Sequence, residues 1–308
     1  MAEMTALVFP GQGSQYVGMG RDLYERYPVA RDVFDQADAI LAIPLSRLCF
    51  EGPEAELTDT LNAQPAILTV SAALLAVLQE EGADKPNIAF VAGHSMGEYT
   101  ALLAAGVLDF PSALHLVRER GRVMKEAGEK QPGAMAAVIG LEAGALAEIC
   151  RNVGDVWLAN DNAPGQVVLS GSRPGLEQVL RLADARGARR VVPLAVSIAA
   201  HSGLMASAAE SFAGVVERLV LRPGAWPIVA NVTAAPMTEP DEIRCEMVRQ
   251  LTSPVRWVES VRFMIANGVG RLVEIGPKDV LSGLIRRIDR SVRVLSVGTA
   301  RDVEAVRL

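Results

Sequence analysis

Cysteine, histidine and aromatic residues are all scarce in this chain. Three cysteines, Cys49, Cys150 and Cys245, lie far apart among 308 residues. They have no metal-ligand spacing and cannot all pair with one another, which argues against a disulfide scaffold and a thiolate zinc site. Reduced packing cysteines in a cytoplasmic protein are expected instead. The chain contains three histidines, His94, His115 and His201, so any imidazole chemistry has few candidates. No long run of one charge occurs and the net charge is −6, which argues against a nucleic-acid surface. The first residues, Met1-Ala2-Glu3-Met4-Thr5, lack the basic and apolar segments of a signal peptide. No apolar stretch reads as a membrane span.

What is present is apolar bulk: half of the residues are hydrophobic, enough for one large domain or a large plus a small one. Ala6–Phe9 reads as a buried strand that ends in the glycine-rich loop Pro10-Gly11-Gln12-Gly13. Pro65 to Glu81 reads as a helix with a proline start. Asn87–Ala92 is a strand and Glu98–Ala105 a helix. Asp109 is placed to cap a further helix that runs to about Glu126. This alternation predicts a parallel sheet covered on both faces.

Between Gly133 and Val196 the order becomes βαββαβ, the ferredoxin-like arrangement. Its strands are placed at 134–139, 155–159, 166–170 and 189–195, with an Asn/Pro/Gly loop between the second and third. The expected organisation is a large α/β hydrolase-like subdomain, residues 1–130 and 198–308, with a ferredoxin-like small subdomain, 131–197, inserted into it. In the returning part, helices are read at 202–219, 240–251, 255–267 and 280–288, and strands at 228–232 and 271–275.

Between the strand at 87–92 and its following helix stands Gly93-His94-Ser95-Met96-Gly97. Strand, G-x-S-x-G and helix together describe a nucleophile elbow, in which the glycines allow a turn too tight for side chains and the serine is held at its apex. Ser95 needs a base. His94 is its chain neighbour and diverges from it in a tight turn, and His115 lies within a helix. That leaves His201, at the junction between the two subdomains, where a cleft would form. No acidic residue stands out as an orienter of His201, so a carbonyl could hold the imidazole instead. Arg118, Arg120 and Arg122 alternate along one helix and cannot share a face. One of them pointing inward could grip a carboxylate, and a solvated basic face is the other reading. The loop at Gln12 could simply turn the chain, or it could supply an oxyanion-hole N–H beside that of Met96.

Taken together, Phe9-Pro10-Gly11-Gln12-Gly13-Ser14-Gln15, Gly93-His94-Ser95-Met96-Gly97-Glu98, Arg120-Gly121, His201 and Ser253-Pro254-Val255-Arg256-Trp257 resemble the malonyl-CoA:acyl-carrier-protein transacylases. These enzymes are related to the acyltransferase domains of polyketide synthases. The resemblance spans Phe9 to about Ile288. It implies malonyl transfer from malonyl-CoA to the phosphopantetheine thiol of acyl carrier protein, in fatty-acid biosynthesis. It further implies Ser95 as nucleophile, His201 as base and then acid, and the carbonyl of Gln250 as the orienter of His201. Arg120 would bind the malonyl carboxylate, and the N–H groups of Gln12 and Met96 would form the oxyanion hole. Asn160 and Asn162 match an Asn-containing loop of the small subdomain, placed over the cleft. No cofactor and no metal are implied, and a monomer is expected.

Two positions depart from the family pattern. Ala200 stands before His201 where many relatives carry Ser or Phe, which would widen the acyl pocket. Lys278 stands where glycine is common. Arg189, Arg190, Lys278, Arg286 and Arg287 are candidate contacts for an acidic carrier, or else ordinary surface charge.

Overall fold

The structure, a computed structural model, describes residues 3–81, 87–194, 196 and 198–305. Its elements run β1 (Met4–Phe9), α1 (Arg21–Arg26), α2 (Pro28–Leu41), α3 (Leu45–Glu51), α4 (Glu54–Thr58), α5 (Thr60–Glu80), β2 (Asn87–Gly93), α6 (Gly97–Ala104) and α7 (Phe110–Lys130). There follow β3 (Ala134–Ile139), α8 (Ala143–Val153), β4 (Val156–Ala163), β5 (Gln166–Gly171), α9 (Arg173–Ala185) and β6 (Arg190–Pro193). The chain continues with α10 (Ala206–Val216), β7 (Ile228–Val229), β8 (Pro236–Met237), α11 (Pro240–Arg249) and α12 (Trp257–Ala266). It ends with β9 (Val269–Ile275), α13 (Val280–Ile288), β10 (Arg293–Val297) and α14 (Ala300–Ala305).

Two sheets result. The larger has the order β10-β9-β1-β2-β7-β8, parallel except for the short β7–β8 hairpin at one edge. Strand β1 lies inside it and alternates between two layers. Leu7 and Phe9 pack into the core with α5 and α7, while Ala6 and Val8 pack against Trp257, Val261 and Leu281 on the other face. A strand buried on both faces must be apolar throughout, which is why Ala6–Phe9 carries no polar residue. The smaller sheet is antiparallel in the order β4-β5-β3-β6, with its own core between α8 and α9. This is the ferredoxin-like order expected from βαββαβ.

Several expectations change. Helix α5 starts at Thr60, where Asp59 accepts the Leu61 N–H, so Pro65 lies inside the helix and does not begin it. A proline frees the carbonyl four residues earlier. That carbonyl, Leu61 O, accepts instead from Arg118 Nη1 at 2.8 Å, which makes the proline tolerable. By length and composition α5 is also apolar enough to span a bilayer, contrary to the sequence reading, but most of it is buried as a core helix. Strand β4 runs to Ala163, so Asn160 and Asn162 belong to a strand and only Pro164 and Gly165 remain as the turn. Ladder irregularities around Leu158 to Ala163 account for the difficulty of reading this strand.

The helix expected from Ser202 begins as a 3-10 turn at Gly203–Met205. Val255 and Arg256 precede α12, and Val255 exchanges backbone hydrogen bonds with β4 at Asp161 and Ala159, 2.9 and 2.8 Å. This short pairing fastens the small sheet to the large unit. Helices α1 to α4, the β8 strand, β10 and α14 were not anticipated. The last expected strand reached Ala195, which lies outside the described residues.

Candidate active site

The turn after β2 is made possible by its glycines. A Cβ on Gly97 would sit 2.0 Å from Phe9 O, and one on Gly93 would sit 1.9 Å from the Gly97 carbonyl carbon. Strand end and helix start therefore approach closer than any side chain allows. Ser95 between them takes φ of 52°, a conformation uncommon for a non-glycine residue. Asn231, just after β7, holds the strained turn: its Oδ1 accepts the Ser95 N–H at 2.7 Å and its Nδ2 donates to Gly93 O at 2.7 Å.

His201 reaches this serine from across the junction, with Nε2 2.7 Å from Ser95 Oγ. Its Nδ1 lies 2.8 Å from the carbonyl of Gln250 and 3.1 Å from that of Ser253. Gln250 is the C-cap of α11, where carbonyls lack partners within the helix. An acceptor at a helix C-terminus also favours a positive imidazolium. A carbonyl on Nδ1 places the proton there and leaves Nε2 free to accept. Burial, and after it the charge of Arg120, push the imidazole down to about 3, so it is neutral at pH 7.

Of the three alternating arginines, Arg120 is the one that turns inward, 2% exposed. Arg118 serves the α5 backbone, and Arg122 pairs outward with Glu119 and Glu126. Arg120 donates to Gln64 Oε1 at 2.9 Å, Gln250 Oε1 at 2.9 Å and Ser95 Oγ at 3.2 Å. Its guanidinium also lies over the Tyr99 ring, 5.4 Å from the centroid. Its Nε has no partner, and none of the ion pairs among the described residues includes it. A buried cation held by neutral groups is an open seat for an anion.

Ser95, His201 and Arg120 open onto a cavity of about 640 Å³, which Gln12, Asn160 and Ala200 also line. Gln12 sits in the loop after β1, its Oε1 accepting from Thr60 Oγ1 at 2.8 Å. Met96 is buried at the N-cap of α6. The backbone N–H groups of Gln12 and Met96 have no acceptor among the described residues. Asn160 is 7% exposed. Asn162 turns instead to His94, Oδ1 to Nε2 2.7 Å, and the His94 ring stands edge-on to Trp257. His94 thus links the elbow to the small sheet. His115 is exposed on α7. Among the described residues no cluster of His, Cys, Asp or Glu is arranged to hold a metal ion.

Known proteins resemble this chain over nearly its whole length. Residues 6–305 match the family described as acyl transferase domain. The chain belongs to this acyltransferase family. It is 46% identical over 303 residues to a malonyl CoA-acyl carrier protein transacylase of Bacillus subtilis, covering 97% of this chain and 95% of that protein. The crystal structure of an acyl-carrier-protein-S-malonyltransferase from Bartonella henselae superposes with a TM-score of 0.94 at 42% identity, over 99% of this chain and 98% of that one. A malonyl-transacylase solved in complex with a holo type II polyketide acyl-carrier protein gives 0.95 at 41% identity, covering 99% of each chain.

Within the acyltransferase site, sequence reasoning missed Gln64, Glu98 and Asn231. Glu98 is 0% exposed, and burial together with the nearby Glu246 carboxylate pushes its pKa up. The available signal was an acidic residue in the first turn of an otherwise apolar elbow helix. Lys278 has φ of 64°, a conformation that favours glycine.

Proposed function

We propose that this acyltransferase moves a malonyl group from malonyl-CoA to the phosphopantetheine thiol of acyl carrier protein, through a malonyl ester on Ser95, in fatty-acid biosynthesis. One observation carries the reading. A serine hydroxyl is shared between a neutral imidazole at 2.7 Å and a buried, anion-free guanidinium at 3.2 Å. A thioester whose acyl group ends in a carboxylate satisfies both at once.

The malonyl carboxylate replaces the neutral partners of Arg120, which sets the thioester carbonyl beside Ser95. Ser95 Oγ attacks that carbon as its proton passes to His201 Nε2. The tetrahedral oxyanion is held by the free N–H groups of Gln12 and Met96. Collapse breaks the C–S bond, and the thiol of CoA leaves with the proton from His201. The carrier's thiol then gives its proton to His201, attacks the malonyl ester and frees Ser95 by the same steps reversed. The bound carboxylate offsets the charge of Arg120, removing one of the causes that hold His201 low. The base is therefore strengthened when the correct substrate arrives.

Asn160 and Asn162 contribute differently: the first borders the acyl cavity and the second fixes His94. A cytoplasmic setting is supported by the free thiols of Cys49, Cys150 and Cys245. A monomer is supported by how few large apolar side chains stand exposed among the described residues: Val17, Leu182, Leu194, Val220 and Val280.

The test is intact-protein mass after brief incubation with malonyl-CoA, then after addition of holo acyl carrier protein. A malonyl adduct on Ser95 that moves to the carrier is the expected result. An adduct lost equally fast to water without the carrier would make the protein a hydrolase and refute the transfer.

A further inference from the structure

We infer that Glu98 is the positioning residue of this site, a buried carboxyl group that sets both the backbone of the nucleophile and the orientation of its base without touching substrate. The inference rests on the reading of Ser95 and His201 given above. Glu98 lies three residues after Ser95, in the first turn of α6, and does not line the cavity.

Its two oxygens serve two different partners. Oε1 accepts from Asn231 twice, from the backbone N–H at 2.8 Å and from Nδ2 at 3.2 Å. Asn231 is the side chain that clasps the elbow at Gly93 and Ser95. Oε2 accepts from Gln250 Nε2. That same Nε2 donates to Ser95 O at 3.1 Å, and the backbone carbonyl of Gln250 receives His201 Nδ1. One carboxyl group is thus joined to the serine backbone by two routes and to the histidine by one.

Hydrogen-bond donors and acceptors decide how Gln250 is turned. Its amide has a donor end and an acceptor end of nearly equal shape. Arg120 can only donate, so it takes the oxygen at 2.9 Å. Glu98 Oε2 is the acceptor on the other side, so it takes the nitrogen. With an acid on one side and a cation on the other, the amide has a single satisfied orientation, and the α11 terminus that carries the His201 acceptor is pinned with it. Unlike a triad in which the acid touches the histidine, this arrangement places the acid one residue behind the orienting carbonyl. Glu246, which accepts the Val232 N–H at 2.8 Å, is the other buried acid in the layer. It accepts from neither Asn231 Nδ2 nor Gln250 Nε2.

The experiment compares the wild-type protein with Glu98→Gln, which keeps shape and puts an N–H2 donor where one accepting oxygen stood. Three quantities are read: melting temperature, kcat and KM for malonyl transfer, and the rate of Ser95 labelling by a small uncharged fluorophosphonate. The fluorophosphonate needs the serine and its base but has no carboxylate for Arg120. For Glu98→Gln we expect KM within about threefold and kcat down about a hundredfold, on the scale of a misplacement of about 1 Å, with labelling slowed in parallel. A merely structural glutamate would lower the melting temperature and the labelled fraction but leave kcat per labelled site unchanged, and that result overturns the inference. If Glu98→Gln does not fold, Glu98→Asp is read the same way. Its carboxylate is withdrawn by one methylene, and a wild-type kcat there also overturns the inference. Failure of the wild-type protein to label at Ser95 overturns the reading of the nucleophile and this inference with it. A wild-type labelling rate in the variant overturns the inference alone.

Discussion

Arg120→Ala separates charge recognition from the rest of the chemistry. In the resting site the guanidinium is 2% exposed, bonded to neutral oxygens of Gln64, Gln250 and Ser95, and free of acidic partners among the described residues. A bound carboxylate would take two charge-assisted bonds from it, each about 1.5–3 kcal/mol. Removing the side chain should therefore slow acylation by malonyl-CoA by about 3–6 kcal/mol, roughly a hundredfold to ten-thousandfold. Acetyl-CoA has no carboxylate and loses only what Arg120 gives to Ser95 and Gln250, about 1 kcal/mol per bond. Part of that loss is recovered, because the charge of Arg120 is one of the causes that depress His201. The ratio of malonyl to acetyl acylation rates should therefore fall by about 1–4 kcal/mol, roughly fivefold to a thousandfold. The assay is time-resolved intact mass with each thioester, at a temperature where wild type and variant are both folded. Equal losses for the two substrates would refute the carboxylate seat, because a general collapse of the site disfavours both alike.

Other perturbations probe the remaining parts. Ser95→Ala should abolish the malonyl adduct while leaving the melting temperature close to wild type, and an adduct persisting at another residue would refute the nucleophile. Gly97→Ala should yield no soluble, labelled enzyme, since its Cβ would lie 2.0 Å from Phe9 O; wild-type acylation in that variant would refute the close approach. His201 is held below its ordinary value of 6.5, so as pH falls below 6.5 the unfolded chain takes up a proton that the folded one refuses until about 3. Stability is lost on that descent, by about 2 kcal/mol between pH 6.5 and 5. His201→Gln should show correspondingly less acid destabilisation in parallel melts, and identical pH profiles would contradict the assignment. Ala200→Phe narrows the cavity beside His201 and should shift preference from methylmalonyl-CoA toward malonyl-CoA by about 10–200-fold, read as a ratio of kcat/KM values.

The chain's local grammar determined more of this protein than its composition did. Ala6–Phe9 had to be a strand buried on both faces, because nothing in it can meet water. Gly93 and Gly97 around Ser95 declared a turn too tight for side chains, and βαββαβ between 133 and 196 declared the second sheet. His201 followed from there being few imidazoles to choose from. What sequence could not decide were the partnerships made across the fold. Three arginines at alternate positions look alike in one dimension, and only packing of α7 on α5 sends Arg118 to Leu61 O, Arg122 to solvent and Arg120 into the cavity. Pro65 reads as a helix start until the Arg118 donor that compensates for it is seen. Asn160 and Asn162 read as a loop because their strand is irregular and pairs with Val255 from a distant segment. Glu98 and Asn231 are 133 residues apart, and their bond has no signature in either neighbourhood. Periodicity and turn chemistry act over a few residues and can be read locally. The value of a buried polar group depends on the partner that burial gives it, and only the tertiary structure chooses that partner.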